Sequence, residues 1–129
     1  MQRPAVHLKL ILPGGKVFGP GKAELLTQID RLGSISAAGR DMKMSYKRAW
    51  GLVEEMNASF SAALVTTERG GADHGGARVT GLGQAVLQHY NRLVGSVQRA
   101  GEIDFIAAQL VVADDDLPGA ADSVMSGET

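Results

Sequence analysis

The chain contains no cysteine, so disulfides, thiol nucleophiles and cysteine-ligated zinc are excluded, and a reducing compartment is the natural expectation. No stretch approaches the roughly 18 apolar residues of a membrane span, and the opening MQRPAVHLKL has no signal-peptide core. A cytoplasmic protein with no membrane association is expected. There is no internal repeat. Basic residues are missing from the last 29 positions: residues 1 to 100 carry all 13 Lys and Arg against 7 acids, and residues 101 to 129 carry 7 acids and no base. The formal net charge of −1 therefore hides a basic body and an acidic end. Charge placed this way is compatible with a nucleic-acid partner, and equally with a soluble surface followed by a solvated tail.

What is present fits one globular domain: 129 residues, 44% apolar and 21% charged. Val6, Leu8, Leu10 and Leu12 alternate with His7, Lys9 and Ile11, and Pro13-Gly14-Gly15 turns the chain into Lys16-Val17-Phe18, which predicts a hairpin. Leu25, Leu26, Ile29 and Leu32 have helical spacing, with Pro20 in the first turn and Gly33 just past the end. Ser34 and Ser36 offer capping hydroxyls to a two-turn helix ending near Met42. Ser45 can cap a longer one, in which Ala49, Leu52, Val53, Met56 and Phe60 form one apolar stripe. Two helices joined by about three residues cannot run antiparallel over much length, and the crossed arrangement left to them is the helix-turn-helix.

Two β-prone segments follow, Leu64 to Thr67 and Ala77 to Thr80, and the loop ERGGADHGG between them predicts a mobile hairpin tip. Thr80 can cap a last helix whose apolar positions recur from Leu82 to Leu110, predicting one helix over 80 to 112. Asp114-Asp115-Asp116-Leu117-Pro118 closes it, and residues 119 to 129 hold too little apolar content to fold alone. The expected architecture is mainly α with small β-hairpins. It comprises a winged helix-turn-helix with an N-terminal hairpin over 1–80, a dimerisation helix over 81–112 and an acidic flexible tail over 113–129.

On a helical wheel, Lys47, Gly51, Glu54 and Ala58 lie opposite the apolar stripe, with Trp50 and Asn57 on one edge and Arg48 on the other. In a winged helix-turn-helix the second helix enters the major groove and its first residues reach base edges. That geometry favours Ser45, Tyr46, Lys47 and Arg48 for DNA contact, with Ser36 beside them, while small Gly51 leaves room for a bulky partner. The Trp50 indole can stack on the sugar-phosphate backbone or complete the core against the first helix, and both remain open here. Arg69, His74 and Arg78 suit a wing reaching phosphates or the minor groove. The stripe Leu82, Val86, His89, Tyr90, Leu93 and Val97 presents more apolar surface than a small winged domain can cover, so a second copy is expected on it.

Enzymatic readings are weaker. Gly15 to Ala23 has five residues instead of four before Gly-Lys, and Ala where a phosphate loop needs Ser or Thr. His7, His74 and His89 lie apart without the spacing of a metal site or triad, and adjacent Glu54 and Glu55 point about 100° apart on a helix. No enzyme, cofactor or metal is expected.

GSISAAGRDMKMSYKRAWGLVEEMN from Gly33 to Asn57, the Gly-rich wing and the step from ARVTGLGQAVLQHY into a long helix resemble the N-terminal domain of ModE-family molybdate-responsive transcription regulators. SISAA through MS is also similar to the LysR-type helix-turn-helix, but SYKRAW followed by EMN favours ModE. The resemblance covers residues 5 to about 118, and ADDDLPG looks like the segment after which family members continue into molybdate-binding domains. It implies a homodimer on a palindromic operator, regulating molybdenum-related genes as activator or repressor. Since family members hold the oxyanion in separate C-terminal domains, these 129 residues are not themselves expected to bind molybdate well. A non-enzymatic alternative is a winged-helix module that contacts protein and no DNA.

Overall fold

The computed structural model describes residues 3–68 and 76–111. The chain divides into a larger unit, residues 6–98, and a smaller one formed by residues 1–5 and 99–129.

The larger unit opens with a short antiparallel hairpin, β1 (Leu10–Ile11) and β2 (Val17–Phe18), in which Leu10 faces Phe18. Val6, Leu8, Leu10 and Leu12 are half-buried while His7, Lys9 and Ile11 are exposed, so the expected alternation is present although only two of its residues are strand. The upstream backbone is satisfied by side chains instead of a partner strand. Gln98 Oε1 accepts from the Val6 N–H at 2.9 Å, and the Tyr90 hydroxyl donates to Leu8 O at 2.8 Å.

Helix α1 (Pro20–Leu32) starts at proline and ends at Gly33, whose φ of 72° closes the helix with an N–H bond to Ile29 O. The Gly33 carbonyl then accepts from Ala77 N at 2.9 Å, tying the end of α1 to the wing. Helix α2 (Ile35–Asp41) is capped by Ser34, and α3 (Tyr46–Ser59) by Ser45. Strands β3 (Val65–Thr67) and β4 (Ala77–Val79) pair antiparallel with Val65 opposite Val79. Helix α4 (Gly81–Gln98) begins beneath Thr80, whose hydroxyl donates to Ala63 O at 2.8 Å and accepts from Gly83 N at 3.0 Å. The core gathers Phe18, Leu25, Leu26, Ile29, Val53, Met56 and Leu64, with Phe18 meeting the edges of Phe60 and Tyr90 at ring separations of 6.0 and 5.2 Å.

Packing favours glycine at Gly39 and requires it at Gly83. A Cβ on Gly39 would lie 3.0 Å from the Ala49 Cβ, so α2 and α3 would have to part by a few tenths of an ångström to admit one. On Gly83 it would fall 2.4 Å from Leu64 O and 2.7 Å from Val79 Cγ1.

The last helix departs from expectation. In place of one helix over 80–112 there are α4 and, in the smaller unit, α5 (Gly101–Ala108). Ala100 is extended, with ψ of 142°, and the Gln98 side chain is drawn to Val6. Gly101 is the first residue of α5, just past the break, where its low helix propensity weakens continuity, although Gly95 is carried inside α4 without one. The apolar spacing simply continues across the break. The boundary expected after residue 80 does not coincide with packing either, because Leu82, Val86, Leu87, Tyr90 and Val94 of α4 join the same core as the winged elements. In the smaller unit Glu102 and Asp104 sit in the first turn of α5, where the helix dipole favours them, and Asp104 pairs with Arg3. No helix of the described residues is long and apolar enough to cross a membrane. The expected acidic tail, 113–129, lies outside the described residues.

Candidate nucleic-acid interface

The turn between α2 and α3 is a Schellman closure. The Lys43 N–H bonds Arg40 O at 3.0 Å, and the Met44 N–H bonds Gly39 O at 2.9 Å. Such a closure needs a left-handed residue, and Lys43 supplies it with φ of 59°, a conformation that usually falls to glycine. The chain thus reaches Ser45, whose Oγ accepts from Arg48 N at 3.0 Å and fixes the first turn of α3.

Helix α3 is divided as its apolar spacing requires. Ala49, Val53 and Met56 are buried, Phe60 just beyond its end is half-buried, and Lys47, Gly51, Glu54 and Ala58 are exposed on the other side. Ser45, Tyr46, Lys47 and Arg48 are all exposed, and among the described residues neither Lys47 nor Arg48 has an ion-pair partner. Two unneutralised cations at the start of an exposed helix are suited to phosphates or base acceptors. Tyr46, 58% exposed, stacks on Trp50 with ring planes 12° apart. Trp50 is half-buried and packs against the core, so its indole serves both as core edge and as the platform under Tyr46. Ser36 is half-buried inside α2 rather than at its cap, and its hydroxyl accepts from Arg40 Nη1 at 3.0 Å.

Beside this surface an open groove of about 440 Å³ runs past Lys9, Lys16, Lys22, Arg48, Leu52 and Glu55. Its positive charge is partly cancelled from within. Lys22 Nζ lies 2.6 Å from Glu55 Oε1 and donates to Val17 O at 2.6 Å, while Lys16 Nζ lies 3.3 Å from Glu55 Oε2. Hydrogen bonding to Lys22 first, then Lys16, holds the Glu55 carboxyl below the usual carboxylate range. The residues of the failed phosphate-loop motif therefore anchor α1 and the hairpin to α3.

On the wing, Arg78 is exposed and lies 4.0 Å from Glu68, too loose to immobilise either. Arg69 and His74 lie outside the described residues. Asn57, expected at the edge of the outward face, is turned to the wing instead. Its Oδ1 accepts from Leu64 N at 2.8 Å and Val65 N at 3.1 Å, and its Nδ2 donates to Val65 O at 3.0 Å. Those bonds fix the departure of β3 from α3, and wheel position alone could not distinguish such a role from a surface one.

The residues expected at a dimer seam divide between the core of their own chain and its surface. Tyr90 is a correction: it is buried at 6% exposure, hydrogen-bonded to Leu8 O and set against Phe18, because an aromatic at that turn of α4 fills the space between hairpin and α1. Burial pushes its hydroxyl pKa up. Leu82 and Val86 are also committed to the core of their own chain. Leu93 and His89 are exposed, the latter with Nδ1 2.8 Å from Ala85 O, and Val97 is half-buried. Phe105, Ile106, Leu110 and Val111 are exposed in the smaller unit, and the apolar repeat offers Ile106 and Leu110 only as continuation of the stripe.

Helix α2, a tight turn, the capped helix α3, a two-stranded wing and a following helix make this a winged helix-turn-helix. The DNA-binding domain of CbnR, solved in complex with DNA, has the same fold with a TM-score of 0.52 at 21% identity, over 69% of this chain and 97% of that one. No family model matches the chain. Among curated proteins it is 39% identical over 85 residues to the molybdenum-pterin-binding protein MopB of Rhodobacter capsulatus, which is 66% of this chain and 32% of that protein. It is 38% identical over 93 residues to MopA of the same organism, 72% of this chain and 35% of the relative. It is also 38% identical over 89 residues to the DNA-binding transcriptional dual regulator ModE of Escherichia coli K12, 68% and 34% respectively. The chain is a ModE-like winged helix-turn-helix, and it spans about a third of the length of these relatives.

Proposed function

We propose that the chain is a sequence-specific DNA-binding transcriptional regulator of the ModE type, with α3 entering the major groove. The observation that carries this is the start of α3: a Ser45-capped turn that presents Lys47 and Arg48, both exposed and without ion-pair partners among the described residues. Ser36 and Tyr46 flank them, Trp50 supports Tyr46 from the core, and Arg78 with Arg69 and His74 contributes phosphate attraction from the wing. The similarity to the regulator ModE supports a regulatory role rather than an enzymatic one, and the similarity to the molybdenum-pterin-binding proteins MopA and MopB supports molybdenum-related genes as its targets.

The chain acts as a homodimer on a near-palindromic operator. The exposed apolar residues that favour this are Leu93 on α4 and Phe105, Ile106, Leu110 and Val111 around α5, with His89 and Val97 beside the former. Two-fold pairing would place two α3 helices about 34 to 36 Å apart, one duplex turn. Residues 1 to 129 hold molybdate weakly. A tetrahedral dianion needs a closed pocket of converging donors, and the groove beside α3 is open with its Lys22 committed to Glu55.

Selection of bound fragments from a random duplex pool, with and without molybdate, tests this reading. Recovery of a near-palindromic sequence, the same in both arms, is expected. Retention of no duplex would leave a module that binds protein alone, and a molybdate-dependent sequence would place the sensor in this chain.

A further inference from the structure

Gly51 stands in the middle of α3, exposed, where a Cβ would meet nothing within 4 Å. Its fold therefore has no steric use for glycine there. This separates it from Gly39, whose added Cβ would crowd Ala49, and from Gly83, whose added Cβ would strike Leu64. A helix interior is also where glycine is least favourable among residues other than proline, so the isolated chain would gain stability from alanine at this position.

Gly51 floors a shallow groove of about 460 Å³ lined by Ser45, Lys47, Arg48, Leu52 and Glu55. Lys47 lies one turn earlier on the same face and Glu54 one turn later, while Glu55, the one acid lining the groove among the described residues, is already paired with Lys22 and Lys16. The rim toward the start of α3, with Lys47 and Arg48, is thus cationic, and exposed Glu54 lies on its far side. A helix with its side chains is about 10–12 Å across and the major groove about 12 Å wide, so side-chain bulk at the centre of the inserted face sets how deep the helix can sit.

We propose that Gly51 is the depth-setting position of the interface: its missing side chain lets the α3 backbone come about 1.5 Å closer to base-pair edges than any other residue would, bringing Lys47 and Arg48 within reach of them. The inference rests on α3 being the DNA-facing helix. It assigns to Gly51 a role in sequence choice, since base edges are read only at that depth while phosphates are reached from farther out.

Gly51→Ala and, in parallel, Lys47→Ala are compared with the unaltered chain for melting temperature and for affinity to two duplexes: the sequence that chain selects from a random pool, and a generic one. Gly51→Ala should raise the melting temperature by about 4 °C, weaken binding to the selected duplex tenfold or more and leave the generic duplex unchanged, so that discrimination falls. If Lys47→Ala weakens binding while Gly51→Ala binds the selected duplex as tightly as the unaltered chain, the role of Gly51 is overturned and the reading of α3 stands. If neither variant weakens binding, or the unaltered chain selects no sequence, that reading falls and the inference with it. A lower melting temperature for Gly51→Ala would show that the fold itself requires the glycine, which also overturns the proposal.

Discussion

Replacing Asn57 by alanine removes three hydrogen bonds at once, to the N–H groups of Leu64 and Val65 and to the carbonyl of Val65. Leu64 and Val65 are 0% and 2% exposed, so water cannot readily take the place of the amide. At about 1 kcal/mol net for each bond the loss comes to about 3 kcal/mol. Alanine returns roughly 0.5 kcal/mol through its better helix propensity, which leaves about 2–3 kcal/mol of destabilisation. Urea unfolding measures it as a lower midpoint at unchanged slope. Asn57→Asp keeps the acceptor but turns the Nδ2 donor into a second acceptor facing Val65 O, and it should cost at least as much. A loss below about 0.5 kcal/mol for the alanine variant would refute the view that this amide fastens the wing to α3.

Tyr90→Phe leaves Leu8 O without its donor and should cost about 1 kcal/mol. Because the folded Tyr90 hydroxyl has its pKa raised above the ordinary 10.0, the stability it contributes is complete below pH 10 and lost as pH rises beyond it, so the two proteins should converge in strong alkali. Glu55→Gln should cost about 0.5–1 kcal/mol at neutral pH, a figure discounted for its partly exposed partners. Glu55 has its folded pKa lowered below 4.5, so that contribution is present above 4.5 and disappears as pH falls through the folded value; thermal melts of both proteins from pH 7 to 3 should draw together. Lys43→Gly relieves a left-handed lysine at φ of 59° and should stabilise the fold by about 0.5–1 kcal/mol, read as a higher urea midpoint.

The fold was largely legible because its signals are local. Pro20 and Gly33 bound α1, Ser34 and Ser45 cap the next two helices, and the spacing of Ala49, Val53 and Met56 separates inside from outside on α3. Where partners are distant in sequence, pattern gave less. Tyr90 sits in a stripe that reads as surface for a second copy, yet it is claimed by Leu8 and Phe18, more than 70 residues away. Asn57 has the wheel position of a flanking residue but the hydrogen bonds of an anchor. The apolar repeat from Leu82 to Leu110 runs through the break before Gly101, since three- and four-residue spacing survives a single extended residue. Gly101 is no distinctive sign of it, since Gly95 lies in the same repeat and stays inside α4. In the failed phosphate-loop motif the lysines were visible and their acid was not, because Glu55 lies 33 residues beyond Lys22.

The central claim, that α3 reads DNA through its first turn, is tested most directly by the double variant Lys47→Ala, Arg48→Ala, with duplex affinity measured at several salt concentrations beside its melting curve. The account predicts an unchanged melt, since both side chains are exposed and without ion-pair partners among the described residues, together with a marked loss of affinity. Where one of the two side chains bonds a base edge, its removal relaxes sequence choice by about 1–3 kcal/mol at one position; where it bonds a phosphate, its removal lowers the salt slope by about one. Unaltered affinity and salt slope in a protein that melts normally would contradict it.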